Sequence, residues 1–491
     1  MRRVLISMII VVVVLLVAAV TRVGPIQGPR QSSAATTSAL DLYPSAFHAQ
    51  TVPCTQGPNV ILISIDTLRA DHMSLYGYNR PTTPRIDSFA ANARVFERAC
   101  ATSPLTSPSV VSMLTGLYPN HHGIRLLWQK VDASNITVAD HLRRAGYHAA
   151  AIVSNIVLSG PACGLDVRFD EYDDCVEEPE PNRPDMLERS ARPTTDAAIQ
   201  WLRQKRSGGT PFFLWVHYID PHGPYTPPAD APADFHHDQP LPIDAERIAK
   251  YVREPGLTDG LEYVDRYDEE IAAVDREVGR LLDEIAASEI GKGALIILTA
   301  DHGEQMIEGE YEYFCHGLDV DQSLIHIPLI VRHPSIPSGR VAQTVSLADV
   351  TPTILAVTGL PLPEELDGRS LADEISLRPV YAEGRDSSGT GGLRRAFIYP
   401  GSKVVVQHGR SNVVNRVWGF DLSVDPDEKS PLAVDPADPA YAALVEMVGA
   451  EVHPGGIPAV YAQGENPTAV TASGLDEDTR QALDALGYIR D

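Results

Sequence analysis

The chain has 491 residues, 44% hydrophobic and 21% charged, enough apolar content for one large α/β domain with a smaller appendage. Asp and Glu number 65 against 40 Lys and Arg, a formal net charge of -25, which argues against a nucleic-acid partner that needs a basic stripe. Five cysteines without a CxxC pair argue against a disulfide scaffold and a structural zinc site.

Met1-Arg2-Arg3 precedes an almost purely apolar run, Val4 to Val20, in which Ser7 is the one polar residue. Its length lies between a long signal-peptide core and a short membrane span. Residues 1–22 therefore read as a signal peptide or a signal anchor, with the uncleaved anchor slightly favoured. The basic start keeps the N-terminus inside and places the body outside the cytoplasm, in the periplasm or at the cell surface. Residues 23–56 are rich in Pro, Gln, Ser, Thr and Ala without periodicity and read as a flexible linker. Export permits disulfides, and Cys163 with Cys175 is the expected pair, while Cys54, Cys100 and Cys315 stay unassigned.

Residues 57–375 alternate apolar runs with helical patterns. Asn59 to Ile65 runs into Asp66, and His148 to Val153 into Ser154-Asn155. Phe212 to Val216 runs into His217-Tyr218-Ile219-Asp220, and Ala294 to Leu298 into Thr299-Ala300-Asp301-His302. Pro328 to Val331 is a fifth run. Such runs predict strands buried on both faces. Helices are predicted over Val138 to Ala145, Thr195 to Arg206 and Glu262 to Ser288. In the last, Tyr263, Tyr267, Ile271, Val274, Val278, Leu281 and Ile285 recur at three- and four-residue steps. The alternation predicts a doubly wound, mostly parallel sheet with helices on both faces. Ligands of such sheets sit beyond the strand carboxyl ends, where Asp66, Asp220, Asp301 and His302 all fall.

Residues 376–491 read as a small α+β C-terminal subdomain. Gly384 to Gly392 is a predicted loop, Phe397 to Val406 a hairpin, Val417 to Leu422 a strand and Glu477 to Leu486 a short helix.

Pro108 suits the first turn of a helix and puts Thr106 at or near its N-terminus, where free N–H groups favour an anion. Alone, Thr106 reads as a plain N-cap. With Asp66, Asp301 and His302 it reads as part of a divalent-cation site in which the threonine is both ligand and nucleophile. Among other residues, His217 reads first as a core histidine, Asp220 as a turn former and His121-His122 as loop residues. Asp170 to Glu180 reads as a solvated acidic loop. Asn155 is a weak candidate for substrate contact, and Arg69 is left open between acidic neighbours and the substrate anion.

Six stretches carry a family resemblance: PNVILISIDTLRADHMSLYGY from Pro58, TSPSVVSMLTGLYP from Thr106, HYIDPHGPY from His217, LTADHGE from Leu298, ADVTPTILAVTGLPLP from Ala348 and LDGRSL from Leu366. In that order they resemble the sulfatase family of the alkaline phosphatase superfamily, over Pro58 to Leu371 and more weakly to the C-terminal LDALGYI. The resemblance implies an alkaline-phosphatase-like α/β fold and a hydrolase acting on sulfuric, phosphoric or phosphonic esters. It implies metal carboxylates at Asp66 and Asp301, with His302 in the place of an asparagine, and the nucleophile at Thr106. It implies substrate-contacting histidines at His222 and His316. One divalent cation is implied, Ca2+ as in sulfatases or Mn2+, Mg2+ or Zn2+, and the imidazole ligand favours Mn2+ or Zn2+.

The departures point to a threonine-nucleophile branch. Formylglycine-dependent sulfatases carry Cys or Ser where Thr106 stands and Arg where Val110 stands, so no formylglycine is expected. Ser154-Asn155-Ile156-Val157 replaces a Lys and a His, and Thr67 replaces the second Asp of a pair. The expected partners are a sulfated or phosphorylated small molecule or glycan and, through the N-terminal segment, the membrane. Two rivals share the pattern: a phosphotransferase using the same site, and a catalytically silent module that binds anionic glycans.

Overall fold

A computed structural model of the chain describes residues 57–180, 183–205, 209–309, 312–385, 392–409 and 414–434. The expected signal segment, linker and Glu477 to Leu486 helix lie outside the described residues. Among the described residues, no helix is long and apolar enough to cross a membrane.

Fifteen strands form among these residues. They are β1 (Val60–Ile65), β2 (Arg94–Cys100), β3 (His148–Val153), β4 (Glu171–Asp173), β5 (Glu178–Glu180), β6 (Arg183–Glu188), β7 (Phe212–Tyr218) and β8 (Leu295–Ala300). Then follow β9 (His326–Arg332), β10 (Gly339–Ser346), β11 (Val380–Arg385), β12 (Leu393–Tyr399), β13 (Ser402–His408), β14 (Val414–Asp421) and β15 (Leu432–Ala433). Eight make one sheet in the order β10-β2-β9-β8-β1-β7-β3-β4. The apolar runs at β1, β7 and β8 lie at its centre, and every residue of those three strands is buried. Alternate strand residues point to opposite faces, so both faces are covered.

Six helices do most of the covering: α1 (Pro84–Ala90), α2 (Thr106–Thr115), α3 (Val138–Arg144), α4 (Ala191–Lys205), α5 (Gly260–Ala286) and α6 (Val350–Val357). They fall into two groups that pack among themselves, α1 and α4 against α5, and α2, α3 and α6 against one another. The 27-residue α5 carries the predicted apolar stripe and is capped by Asp259, whose side chain accepts from the Leu261 N–H.

The sheet is parallel from β4 through β8, as the apolar runs predict. The fifth run departs: β9 is antiparallel to both β8 and β2. A short apolar run carries no sign of strand direction. The acidic stretch expected to be a loop contains β4, an edge strand paired to β3, and β5. The expected Cys163–Cys175 disulfide is not formed. Cys163 is buried with its thiol toward the Leu158 carbonyl at 3.2 Å, and Cys175 is exposed. Strands β11 to β15 make the separate antiparallel sheet, with the predicted hairpin at β12-β13 and the predicted strand at β14.

Candidate active site

Strand register assembles the site. Ile65 of β1 pairs with Tyr218 of β7 and Ala300 of β8, so Asp66 and Asp301 leave the sheet side by side, each one residue past its strand. Asp66, Asp301 and His302 are buried, and one ligand atom from each lies within 4.8 Å of the others. His302 Nε2 stands 3.8 Å from Asp66 Oδ1, 3.5 Å from Asp301 Oδ2 and 3.2 Å from Thr106 Oγ1. His302 Nδ1–H donates to the Gly303 carbonyl at 2.8 Å, which makes Nε2 the lone-pair nitrogen facing the two carboxylates.

Asp66 Oδ1 and Asp301 Oδ2 are buried and have no hydrogen-bond partner. Buried polar atoms are almost always partnered. Two carboxylate oxygens without a hydrogen-bond donor, converging with the His302 lone pair that the Thr106 hydroxyl also meets, fit the ligand set of a divalent cation. Electrostatics agree. Burial pushes the Asp301 carboxyl up to about 7, and the nearby Asp66 charge adds to this. Burial also works to raise Asp66, but its His217 hydrogen bond and the imidazoles of His222 and His302 hold it below the usual range. A cation between the two favours both as anions.

The remaining carboxylate oxygens are occupied. Asp66 Oδ2 accepts from Asn155 Nδ2 and faces His217 Nε2 at 3.4 Å. His217 is held in turn at Nδ1 by Ser64 Oγ at 2.8 Å, and Trp215 Nε1 donates to that hydroxyl at 2.9 Å. Asp301 Oδ1 accepts the N–H groups of His302 at 2.8 Å and Thr67 at 3.3 Å. Thr67 sits at φ 51, a left-handed conformation rare for a β-branched residue. The residue that replaces a second carboxylate therefore serves Asp301 through its backbone.

Thr106 is the first residue of α2, with Leu105 at the N-cap, and both Thr106 and the following turn are buried. Ser109, one turn on, donates Oγ–H to the Asp301 carbonyl at 2.6 Å and ties the helix to the loop that carries Asp301 and His302. His222 lies in a tight turn closed by its own N–H to the Ile219 carbonyl, with Asp220 inside that turn, as the sequence suggests. His222 Nδ1–H donates to the Gly223 carbonyl at 2.6 Å. The His316 ring lies 4.9 Å from that of His222 and 4.7 Å from that of His302, centroid to centroid. Burial pushes His316 down to about 4 and lowers His222. All six residues singled out from the sequence, Asp66, Thr106, His222, Asp301, His302 and His316, thus converge at one end of the parallel strands.

Other expectations resolve individually. His217 is a fully buried, hydrogen-bonded histidine, as expected first, and both it and Asn155 contact Asp66. Arg69 pairs with Asp71 and Glu308 and donates to the Glu304 carbonyl. His121 pairs with Asp367, while His122, in a single-turn helix at Pro119–His122, is buried against Ser112 Oγ at 2.9 Å. Two further residues, Glu304 and Tyr251, line the site. Glu304 ends the DHGE stretch and is fully buried at 3.1 Å from His316 Nδ1, and burial pushes its carboxyl up to about 7. Tyr251 lies against His222, 5.7 Å between ring centroids, from a segment with no sequence signal.

Residues 58–360, more than half of the chain, match the family model described as Sulfatase. An arylsulfatase of Clostridium perfringens is 26% identical over 387 residues, spanning 65% of this chain and 79% of the relative. A multifunctional alkaline phosphatase superfamily protein of Trinickia caryophylli is 26% identical over 491 residues, spanning 79% of this chain and 93% of the relative. Among solved structures, the phosphonate monoester hydrolase of Agrobacterium radiobacter superposes with a TM-score of 0.61 at 21% identity, covering 80% of this chain and 95% of that one. With the site at the strand ends and the family model matched across it, the chain belongs to the sulfatase family of ester hydrolases.

Proposed function

We propose that the protein is a metal-dependent hydrolase of sulfuric or phosphoric esters that works through Thr106 as a covalent nucleophile. The observation that carries this reading is the approach of Thr106 Oγ1 to an acceptor-only cluster of Asp66 Oδ1, Asp301 Oδ2 and His302 Nε2. Those four residues would hold the cation. Bound there, a divalent cation lowers the pKa of a coordinated hydroxyl and polarises the substrate oxyanion. The N-terminal position of Thr106 on α2 favours its alkoxide further. Thr106 attacks the sulfur or phosphorus in line and the ester oxygen departs. His222 and His316 contact the equatorial oxygens or protonate the leaving oxygen, and water frees Thr106.

Threonine bears on the substrate. A formylglycine hydrate sheds sulfate by eliminating it from a carbon with a second hydroxyl. Thr106 has no such hydroxyl, so its ester must be cleaved by attack at sulfur or phosphorus. A phosphothreonine beside a cation meets that requirement more readily, which favours phosphate or phosphonate esters. A panel of aryl sulfate, phosphate monoester, phosphodiester and phosphonate substrates decides the class. Exhaustive chelation and Thr106→Ala are each expected to abolish turnover, the latter by on the order of 10³-fold or more. Near-native turnover after either rejects the reading.

The sequence of Met1 to Val20 supports an exported protein held at the membrane, acting on a sulfated or phosphorylated small molecule or glycan outside the cytoplasm. Fractionation with N-terminal sequencing tests this. A soluble form with a new N-terminus near Val20 would show a cleaved signal.

A further inference from the structure

His222 and His316 lie side by side, yet the protein holds them differently. His222 Nδ1 is held by the neutral carbonyl of Gly223, whereas His316 Nδ1 meets Glu304 Oε1 at 3.1 Å. The second contact is built into the backbone. Gln305 and Cys315 form an isolated antiparallel bridge, with the Gln305 N–H on the Cys315 carbonyl at 2.9 Å and the Cys315 N–H on the Gln305 carbonyl at 3.2 Å. Antiparallel register then puts Glu304 directly opposite His316. Next to a hydrogen-bonded pair comes a non-hydrogen-bonded one, whose side chains lie closest. The Glu304 backbone is fixed as well, because Arg69 Nη1 donates to its carbonyl at 3.0 Å.

Resting on the function proposed above, we propose that Glu304 is a positioning residue for His316: its buried carboxylate accepts a hydrogen bond from Nδ1–H and turns Nε2 toward the reacting ester. A neutral imidazole has one N–H and one lone pair, so a partner that keeps the proton on Nδ1 leaves the lone pair at Nε2, free to take up the proton released by the attacking hydroxyl and pass it to the leaving oxygen. Tyr251 Oη, 3.4 Å from the same Nδ1, is the competing partner.

The test uses the full-length, metal-loaded protein labelled with 15N-histidine, the His316 signals being assigned by their loss in His316→Ala. The expected state of His316 is Nδ1–H in the wild type, in Glu304→Gln, whose amide oxygen still accepts, and in Tyr251→Phe. Glu304→Leu should lose that single tautomer. It should also lower kcat for 4-nitrophenyl phosphate or 4-nitrophenyl sulfate by about 10–100-fold, with Glu304→Gln recovering most of it. In a His316→Ala background, Glu304→Leu should add little, because the two act as a unit. An Nε2–H tautomer in the wild type, a tautomer that follows Tyr251 rather than Glu304, or an equal loss in the His316→Ala background would overturn the proposal. If Glu304→Leu does not fold, the wild type, Glu304→Gln and Tyr251→Phe still decide the tautomer. The tautomer is read in the resting protein, so it can fail while Thr106→Ala still abolishes turnover, and the reverse.

Discussion

Asp66 has two carboxylate oxygens, and the protein treats them differently. Oδ2 is taken by Asn155 and faced by His217, while Oδ1 has no hydrogen-bond partner and turns to His302. Fixing one oxygen orients the other, as the outer partners of metal ligands commonly do. Asn155→Ala should therefore leave the fold intact and weaken divalent-cation affinity about 10–100-fold, as read by metal titration of the purified protein. Unchanged affinity would mean that Asp66 is positioned by its strand alone. Asp66, Asp301 and His302 were legible as polar residues ending apolar runs. The part played by Asn155 was not, because it depends on β3, β7 and β1 being lateral neighbours, and strand order leaves no trace in periodicity.

At the scale of elements, the site is a loop and a helix end locked against each other. The loop after β8 carries Asp301, His302 and Glu304, and Gly303 lies between His302 and Glu304. A Cβ there would stand 2.0 Å from the Ser323 carbonyl oxygen and 3.3 Å from Arg69 Cγ. Backbone cannot yield as a flexible side chain can, so the loop itself must move. Gly303→Ala should lower both cation affinity and turnover sharply while α2 and the sheet persist; circular dichroism beside metal titration would show this. Retention of native affinity would mean that the Ser323 segment gives way instead. Helices were easier to read than strands here. The α5 stripe repeats over seven apolar positions, whereas β2, with Arg94, Glu97 and Arg98 in seven residues, resembles no buried strand although it lies between β9 and β10. The reversed direction of β9 was equally hidden.

At the scale of the molecule, the antiparallel sheet is tied to the catalytic body through buried charge. Glu383 of β11 pairs with Arg125 and accepts from Tyr381 Oη, and its N–H donates to the Thr102 carbonyl at 2.9 Å. Burial alone would raise the Glu383 carboxyl, but the Arg125 guanidinium holds it at about 2, below its ordinary value of 4.5. The folded state therefore binds this proton less readily than the unfolded one. The pair's contribution is complete above pH 4.5 and is lost as pH falls through 2. Glu383→Ala removes the carboxylate from this buried ion pair and should cost about 3–5 kcal/mol. Urea midpoints measured against pH should show the wild type losing stability in that acid window and the variant losing less. Parallel curves would assign the acid sensitivity to other groups.

Whether Thr106 is the covalent nucleophile of a cation-dependent ester hydrolase is decided by mass spectrometry of the peptide spanning Thr106. The protein is quenched during turnover of a slow substrate and compared with the protein at rest. An unmodified threonine at rest and a phosphoryl or sulfuryl adduct on Thr106 during turnover are predicted, and the adduct also names the substrate class. Sustained turnover with Thr106 unmodified throughout, or an adduct on another residue, would rule out Thr106 as the nucleophile.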